Sequence, residues 1–151
     1  MIAAMVERIF RQADRFDYSA TVGVIVPYRN QIATVRNAID RYGIPALHSI
    51  TIDTVERFQG SQRDYIIYGL TVQQRCQLNF LTDNVFEEDG TLIDRKLNVA
   101  MTRARKHLTI VGNPDILAGS AVYRRLMDFM KSRGCYFNVA CEKFCAGDFS
   151  V

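Results

Sequence analysis

Short runs of consecutive apolar residues constrain the fold of this chain most strongly. Val22–Val26, Tyr65–Val72 and Leu108–Val111 are rich in β-branched residues and lack regularly alternating polar positions. This pattern is typical of strands covered on both faces, and a shorter strand is predicted at Ile50–Ile52. The other segments show the spacing of amphipathic helices: 1–14, 30–41, 97–106 and 122–133. Strands that alternate with helices predict an α/β fold with an open, mostly parallel sheet.

The loops that follow these strands are the first candidates for function. Ligands of such sheets bind at the carboxyl ends of the strands. We therefore expect Pro27–Gln31, Asp53–Asp64 and Gly112–Asp115 to lie along one edge. The acidic, polar stretch 73–94 predicts only a turn, at Asp89–Gly90.

Composition excludes several classes of protein. With 48% hydrophobic and 23% charged residues, the chain is typical of a globular protein, and the net charge of +3 is too small for a protein that coats nucleic acid. Every long apolar stretch contains a charge and the first residues lack a basic segment, so we expect a soluble, cytoplasmic chain without a membrane partner. The four cysteines fit neither a CxxC zinc site nor a disulfide framework, so we expect reduced thiols and no metal site. A metal cluster completed by ligands from elsewhere is the alternative.

Several catalytic motifs are missing from the sequence. It contains no GxxxxGK[ST] phosphate loop, no GxGxxG after a strand, and neither HExxH nor GxSxG. The chain therefore cannot bind a nucleoside triphosphate by itself in the usual phosphate-loop manner. His48 and His107 are its only histidines, and both are expected to be structural.

Two polar segments remain as candidates. We expect Leu97–Lys106 to be one helix, on which Arg103 and Arg105 lie about 200° apart. One guanidinium could then reach a phosphoryl group, although an ordinary charged helix face has the same pattern. The loop Thr51–Asp64 is dense in hydroxyls and amides that can hold a phosphodiester backbone. A polar connector remains the alternative for that loop.

Three segments, taken in order, resemble the second RecA-like domain of superfamily 1 helicases, most closely the Upf-like and Dna-two-like group: Gly23–Gln31, Thr54–Gly60 and Leu97–Arg105. The resemblance covers residues 1–133 and leaves 134–151 as a C-terminal tail without an assigned role. It implies a RecA-like, P-loop NTPase type, three-layer fold with a mostly parallel sheet that lacks its own phosphate loop.

The resemblance also implies site residues and cofactors. ATP and Mg²⁺ would be bound mainly by an absent N-terminal RecA-like domain of the same protein. Arg103 would be the arginine finger on the γ-phosphate. Arg105, also on the nucleotide-binding side, would stabilise the same helix or relay closure of the two domains. Gln59 would be catalytic and, with Gly60, would link the nucleotide cleft to the surface that grips the strand. Gly60 and Gln62 would contact the nucleotide. The residues that contact single-stranded nucleic acid would be Tyr28, Arg29, Asn30, Thr54 and Val55.

One residue departs from the family pattern QGxExD, because Gln62 replaces its carboxylate. An amide can still hydrogen-bond a ribose hydroxyl, but it has no charge. Asp64, the final aspartate of this pattern, is present and is expected to keep its structural role. We expect the chain to be the C-terminal motor domain of an ATP-dependent helicase, inactive when isolated, with DNA favoured over RNA. The alternative is a non-catalytic module that binds nucleic acid or protein.

Overall fold

The computed structural model describes residues 1–58 and 61–145. Its helices and strands, in chain order, are α1 (Ile2–Gln12), β1 (Val22–Ile25), α2 (Arg29–Asp40), β2 (Thr51–Asp53), β3 (Arg63–Leu70), α3 (Arg75–Leu81), β4 (Val85–Glu88), β5 (Thr91–Asp94), α4 (Arg95–Met101), β6 (Ala104–Gly112), α5 (Pro114–Leu117), α6 (Ala121–Ser132) and α7 (Cys141–Cys145). Among these residues, no helix combines the length and apolar character that a membrane span requires.

Four strands form the central sheet in the order β2-β1-β3-β6, and all neighbouring pairs are parallel. The predicted α/β fold with a mostly parallel sheet is therefore confirmed. β4 and β5 lie outside this sheet as an antiparallel hairpin, whose turn has positive φ at Asp89 and Gly90. The turn prediction is also confirmed.

Two hydrophobic cores cover the opposite faces of the sheet. Along β1, Val22 and Val24 enter one core and Ile25 the other, as the two-residue period of a strand requires. The first core packs against α1 and α2, and the second against α3, α4, α5 and α6. The result is a three-layer arrangement, as expected of a RecA-like fold.

The strand order creates a crevice between β1 and β3. From β1 the chain continues through α2 on one face to reach β2, whereas from β3 it continues through α3 on the other face. The segments that follow the two adjacent strands therefore diverge. Such a switch point, at the carboxyl ends of the strands, is where ligands of open α/β sheets bind.

The expected helix over 97–106 is wrong in its second half. α4 ends at Met101, Arg103 lies in the following turn, and Arg105 belongs to β6. The Thr102 hydroxyl donates to the Val99 carbonyl at 2.9 Å and closes the helix. The 200° separation of the two arginines therefore does not apply.

Residues 73–94 contain more structure than the single predicted turn. α3 begins with reciprocal bonds between Gln74 and Gln77 and buries Leu78 and Leu81 in a core. The tail also contains structure, because α7 contacts α1 through the Arg8 guanidinium, which lies 4.8 Å from the centre of the Phe144 ring. The boundary at residue 133 remains a prediction.

Candidate functional site

The predicted site residues divide between the two opposite edges of the sheet. Tyr28 and Thr54 follow the carboxyl ends of β1 and β2, whereas Gln62 and Arg103 precede the amino ends of β3 and β6. An eight-residue strand such as β3 spans roughly 25 Å. The expectation that Asp53–Asp64 lies along one edge is therefore wrong, because this segment runs from one edge to the other.

Arg103 lies half-buried at the amino edge. Its Nε donates to the Val99 carbonyl at 3.2 Å, and its Nη2 donates to the Thr102 hydroxyl at 2.9 Å. Both partners belong to the end of α4, so the side chain folds back over its own turn. Within residues 1–58 and 61–145, no carboxylate lies within 4.0 Å of this guanidinium.

The start of β3 holds the turn that contains Arg103. The Arg63 N–H donates to the Arg103 carbonyl at 3.0 Å, and the Gln62 amide donates to the Thr102 carbonyl at 3.4 Å. Gln62 therefore contacts the backbone of the arginine turn. Its predicted contact with a nucleotide remains a prediction.

Arg63 is a residue that the sequence reasoning did not single out. Its guanidinium donates to the Gln62 carbonyl at 2.8 Å and to the Thr51 hydroxyl at 2.9 Å, and it lies 5.5 Å from the centre of the Phe58 ring. Burial, followed by the charge of Arg105, lowers the pKa of Arg63. Arg63 thus connects three segments at the amino edge. No local sequence signal indicates this, because the contacts are long-range.

A β-bulge places two cations opposite one carboxylate. Arg63 pairs with Ala104 and Tyr65 with His107, so that Arg105 and Lys106 together face Asp64. Lys106 donates to Asp64 at 2.7 Å, and a guanidinium nitrogen of Arg105 lies 3.8 Å from the other carboxylate oxygen. The hydrogen bond with Asp64 raises the pKa of Lys106. Arg105 is therefore held by the fold, with half of its side chain still exposed.

Tyr28 lies at the carboxyl edge, where it precedes α2. Its hydroxyl donates to the Gln77 carbonyl at 2.8 Å and joins the segment after β1 to α3. Burial, then the charges of Asp83 and Cys76, raises the pKa of Tyr28, so the phenol stays protonated at neutral pH. Arg29 and Asn30 are exposed beside it.

Thr54 and Val55 are almost completely buried. The Thr54 N–H bonds to the Asp53 carboxylate at 2.8 Å, and the Thr54 carbonyl accepts the Phe58 N–H at 3.0 Å. Their predicted contacts with a nucleic-acid backbone remain predictions. The predicted roles of Gln59 and Gly60 fall on residues that lie outside the described part of the chain.

Fold and site together define a RecA-like α/β domain with an arginine-bearing amino edge. The family described as "AAA domain" matches residues 1–115, and the chain belongs to this family. Among similar proteins are Helicase sen1 of Schizosaccharomyces pombe, 34% identical over 131 residues, and Helicase SEN1 of Saccharomyces cerevisiae, 32% identical over 143 residues. A third is the Regulator of nonsense transcripts 1 homolog of Drosophila melanogaster, 36% identical over 118 residues.

These alignments cover 85%, 93% and 74% of the chain, respectively. They confirm the resemblance to Upf-like superfamily 1 helicases, which the sequence motifs predict. The chain spans only 7%, 6% and 9% of the length of these relatives.

Proposed function

We propose that this chain is the C-terminal motor domain of an ATP-dependent superfamily 1 helicase. It would supply an arginine finger and a single-strand grip to an ATP site completed by an N-terminal RecA-like domain of the same protein. One observation carries the proposal: Arg103 lies at the amino edge, partly exposed, and among the described residues its guanidinium bonds only to Val99 and Thr102 at the end of α4.

The donors of Arg103 suit a phosphate oxygen. Its Nη1 has no partner among the described residues, and Nε and Nη2 bond to a neutral carbonyl and a neutral hydroxyl. A charged phosphate oxygen forms stronger bonds with a guanidinium than these neutral acceptors do. Bound ATP would supply the phosphoryl group that is transferred to water, with Mg²⁺ on its oxygens.

The surroundings of Arg103 would set its position. Gln62 and Arg63 hold the arginine turn from β3, while Asp64 holds Arg105 and Lys106 at the bulge. We assign Arg105 to supporting this edge and Arg103 to contacting the γ-phosphate. Gln59 and Gly60 would link the amino edge to the strand-gripping edge.

The grip would lie at the carboxyl edge, around Tyr28, Arg29 and Asn30, with Thr54 and Val55 behind them. Among the described residues, no carboxylate lies within 4.0 Å of Arg29, so its charge is available for a phosphate. We propose DNA as the strand, whereas the name of one relative refers to transcripts. Matched oligodeoxythymidylate and oligouridylate titrations of the chain distinguish the two.

Replacing Arg103 tests the motor assignment. In a protein that contains both RecA-like domains, Arg103→Ala should lower kcat for ATP hydrolysis by about 10³-fold or more, because arginine fingers contribute 10³–10⁵ to turnover. ATP binding, measured by titration with a fluorescent ATP analogue, should change little. Steady-state ATPase assays with saturating single strand measure the effect on turnover.

Arg125→Ala is the matched control, since Arg125 is exposed in the middle of α6 and has no contact with the arginine turn among the described residues. Its turnover should equal that of the unaltered protein. An Arg103→Ala protein with unchanged kcat would reject the finger. If the protein also bound single strands without hydrolysing ATP, the non-catalytic binding module would be the correct assignment.

A further inference from the structure

A groove of about 270 Å³ lies at the carboxyl edge, in the crevice where the segments after β1 and β3 diverge. Its lining residues come from the start of α2 and from α3: Tyr28, Asn30, Gln31, Cys76, Gln77 and Phe80. Pockets for drug-sized molecules have volumes of about 300 Å³ and above. The groove is slightly smaller, which suits a single ring system.

An aromatic pair forms the apolar part of this groove. The rings of Tyr28 and Phe80 have centroids 5.4 Å apart and planes inclined by 32°. Phe80 is nevertheless 55% exposed, although large apolar side chains usually lie in the core. More than half of the surface of Phe80 is therefore open to an apolar ligand.

Polar atoms at the groove lack partners. Gln31 Oε1 and Thr71 Oγ1 are buried without a hydrogen bond among the described atoms, and Gln31 Nε2 reaches the Thr71 carbonyl only at 3.5 Å. Buried polar atoms are generally hydrogen-bonded. Of these two residues only Gln31 lines the groove, so a ligand that carries an N–H donor beside a ring face would satisfy Gln31 Oε1 after a small rotation of that side chain.

The charges beside the groove favour an anionic strand. Arg29 and Arg75 are exposed next to lining residues, and among the described residues neither lies within 4.0 Å of a carboxylate. The acidic residue that acts on Tyr28, Asp83, is paired with Lys96 at 3.2 Å. The Lys96 ammonium lies 5.3 Å from the centre of the Phe80 ring.

We propose that this groove holds one nucleobase of a bound single strand and that Phe80 is its stacking surface. The inference rests on the proposed single-strand grip and adds the residue that contacts bases rather than phosphates. Every nucleobase has a flat ring face, and every nucleobase has an N–H donor for Gln31 Oε1. The groove therefore recognises bases without selecting a sequence.

Binding of the 151-residue chain to labelled oligothymidylate of about 16 nucleotides, and to an abasic strand of equal length, tests the groove. The unaltered chain should bind the thymidylate more tightly. Phe80→Ala should weaken thymidylate binding by about 5-fold to 150-fold, the range measured for one base stacked on an aromatic ring, and leave abasic binding unchanged. Phe80→Tyr should restore the preference for bases. Fluorescence anisotropy gives all these affinities.

Phe129→Ala is a closely matched control. Phe129 is also 55% exposed, and the Arg133 guanidinium lies 5.3 Å from the centre of its ring, but it is on α6 outside the groove. This variant should bind both strands like the unaltered chain. If Phe80→Ala loses no affinity, or loses it equally for both strands, the groove assignment is overturned while the grip stands. If the unaltered chain binds neither strand, the proposed grip itself fails.

Free nucleotides separate a strand site from a mononucleotide site. Thymidine monophosphate, added at the same concentration of bases as the oligonucleotide, should displace little of the labelled strand. Displacement as effective as by unlabelled oligothymidylate would assign the groove to mononucleotides and contradict the proposal.

The thiols provide a second readout that needs no substitution. Cys76 lines the groove and is exposed, while Cys135 is exposed elsewhere. Bound oligothymidylate should slow alkylation of Cys76 by iodoacetamide and leave Cys135 unaffected, as measured by mass spectrometry of the peptides. Equal rates for Cys76 with and without a saturating strand would overturn the proposal.

Discussion

Asp94 is the most deeply buried acidic residue among those described, with 2% of its surface exposed. One carboxylate oxygen accepts the Leu97 N–H at 3.0 Å and caps α4, and the other accepts the Tyr123 hydroxyl at 3.1 Å. A buried charge is tolerated only when such partners replace water. Asp94 therefore fixes the start of the helix whose end positions Arg103.

Tyr123→Phe tests this arrangement at a single oxygen atom. The variant leaves one buried carboxylate oxygen without its donor, which should lower the free energy of unfolding at pH 7 by about 1–3 kcal/mol. Urea denaturation followed by circular dichroism measures the change. Tyr18→Phe, which removes a hydroxyl from an exposed ring, should have almost no effect.

The same variant has a pH signature. Burial, then the charges of Tyr68 and Asp94, raises the pKa of Tyr123 above its ordinary value of about 10. Above this pH the unfolded chain loses a proton that the folded chain keeps, so the stability of the unaltered protein falls, by at most about 1.4 kcal/mol per pH unit. The difference in the free energy of unfolding between the unaltered protein and Tyr123→Phe should therefore become smaller above a pH of about 10. A constant difference would contradict the burial of this hydroxyl.

At the scale of elements, β1 meets the segment after β2 through a glycine. A Cβ at Gly23 would lie 2.5 Å from the Phe58 ring and 3.0 Å from the Arg63 side chain. Because Phe58 is buried, Gly23→Ala should lower the free energy of unfolding by about 1–3 kcal/mol, as overpacking does. Urea denaturation measures it.

Gly69→Ala is the matched control on β3. Its Cβ would also meet an atom at 2.5 Å, but that atom is the end of the Ile2 side chain, which is only partly buried and can rotate away. The loss should be smaller than for Gly23→Ala. If the order were reversed, the Phe58 ring would not be a fixed part of the core.

β1, β3 and β6 could be predicted because each contains a continuous apolar run, whereas the elements between 73 and 94 could not. The hairpin strand Val85–Glu88 has two acidic residues and no continuous apolar run, so its own sequence does not indicate a strand. It becomes a strand by pairing with Thr91–Asp94. The helix over 97–106 was wrong for a related reason. Ala104 fits a helical spacing, but β6 starts there because it pairs with Arg63 across the sheet.

The candidate site was predictable only to the level of its residue types. The resemblance placed Arg103 and Tyr28 in functional segments, but no local pattern indicates that they lie at opposite edges. Arg63 and Phe80 were missed because their significance depends on neighbours distant in sequence: Thr51 for one and Tyr28 for the other.

At the scale of the whole molecule, the sheet separates two surfaces that both present arginines. The amino edge presents Arg103 and Arg105, while the carboxyl edge presents the groove beside Arg29 and Arg75. Between the two surfaces, β1 is buried along its whole length and packs into both cores. The chain also passes from one edge to the other between the end of β2 and the start of β3.

The chain alone should not hydrolyse ATP. In the proposed motor Arg103 would stabilise charge on a phosphoryl group, but the sequence has no phosphate loop to hold the triphosphate in line with a water molecule. A coupled assay with Mg²⁺, ATP and oligothymidylate should therefore give the background rate. Arg103→Ala in the same chain identifies contamination, because a contaminating ATPase persists in the variant. Turnover present in the unaltered chain and absent from the variant would show that this domain contains a complete site, and the two-domain motor would be wrong.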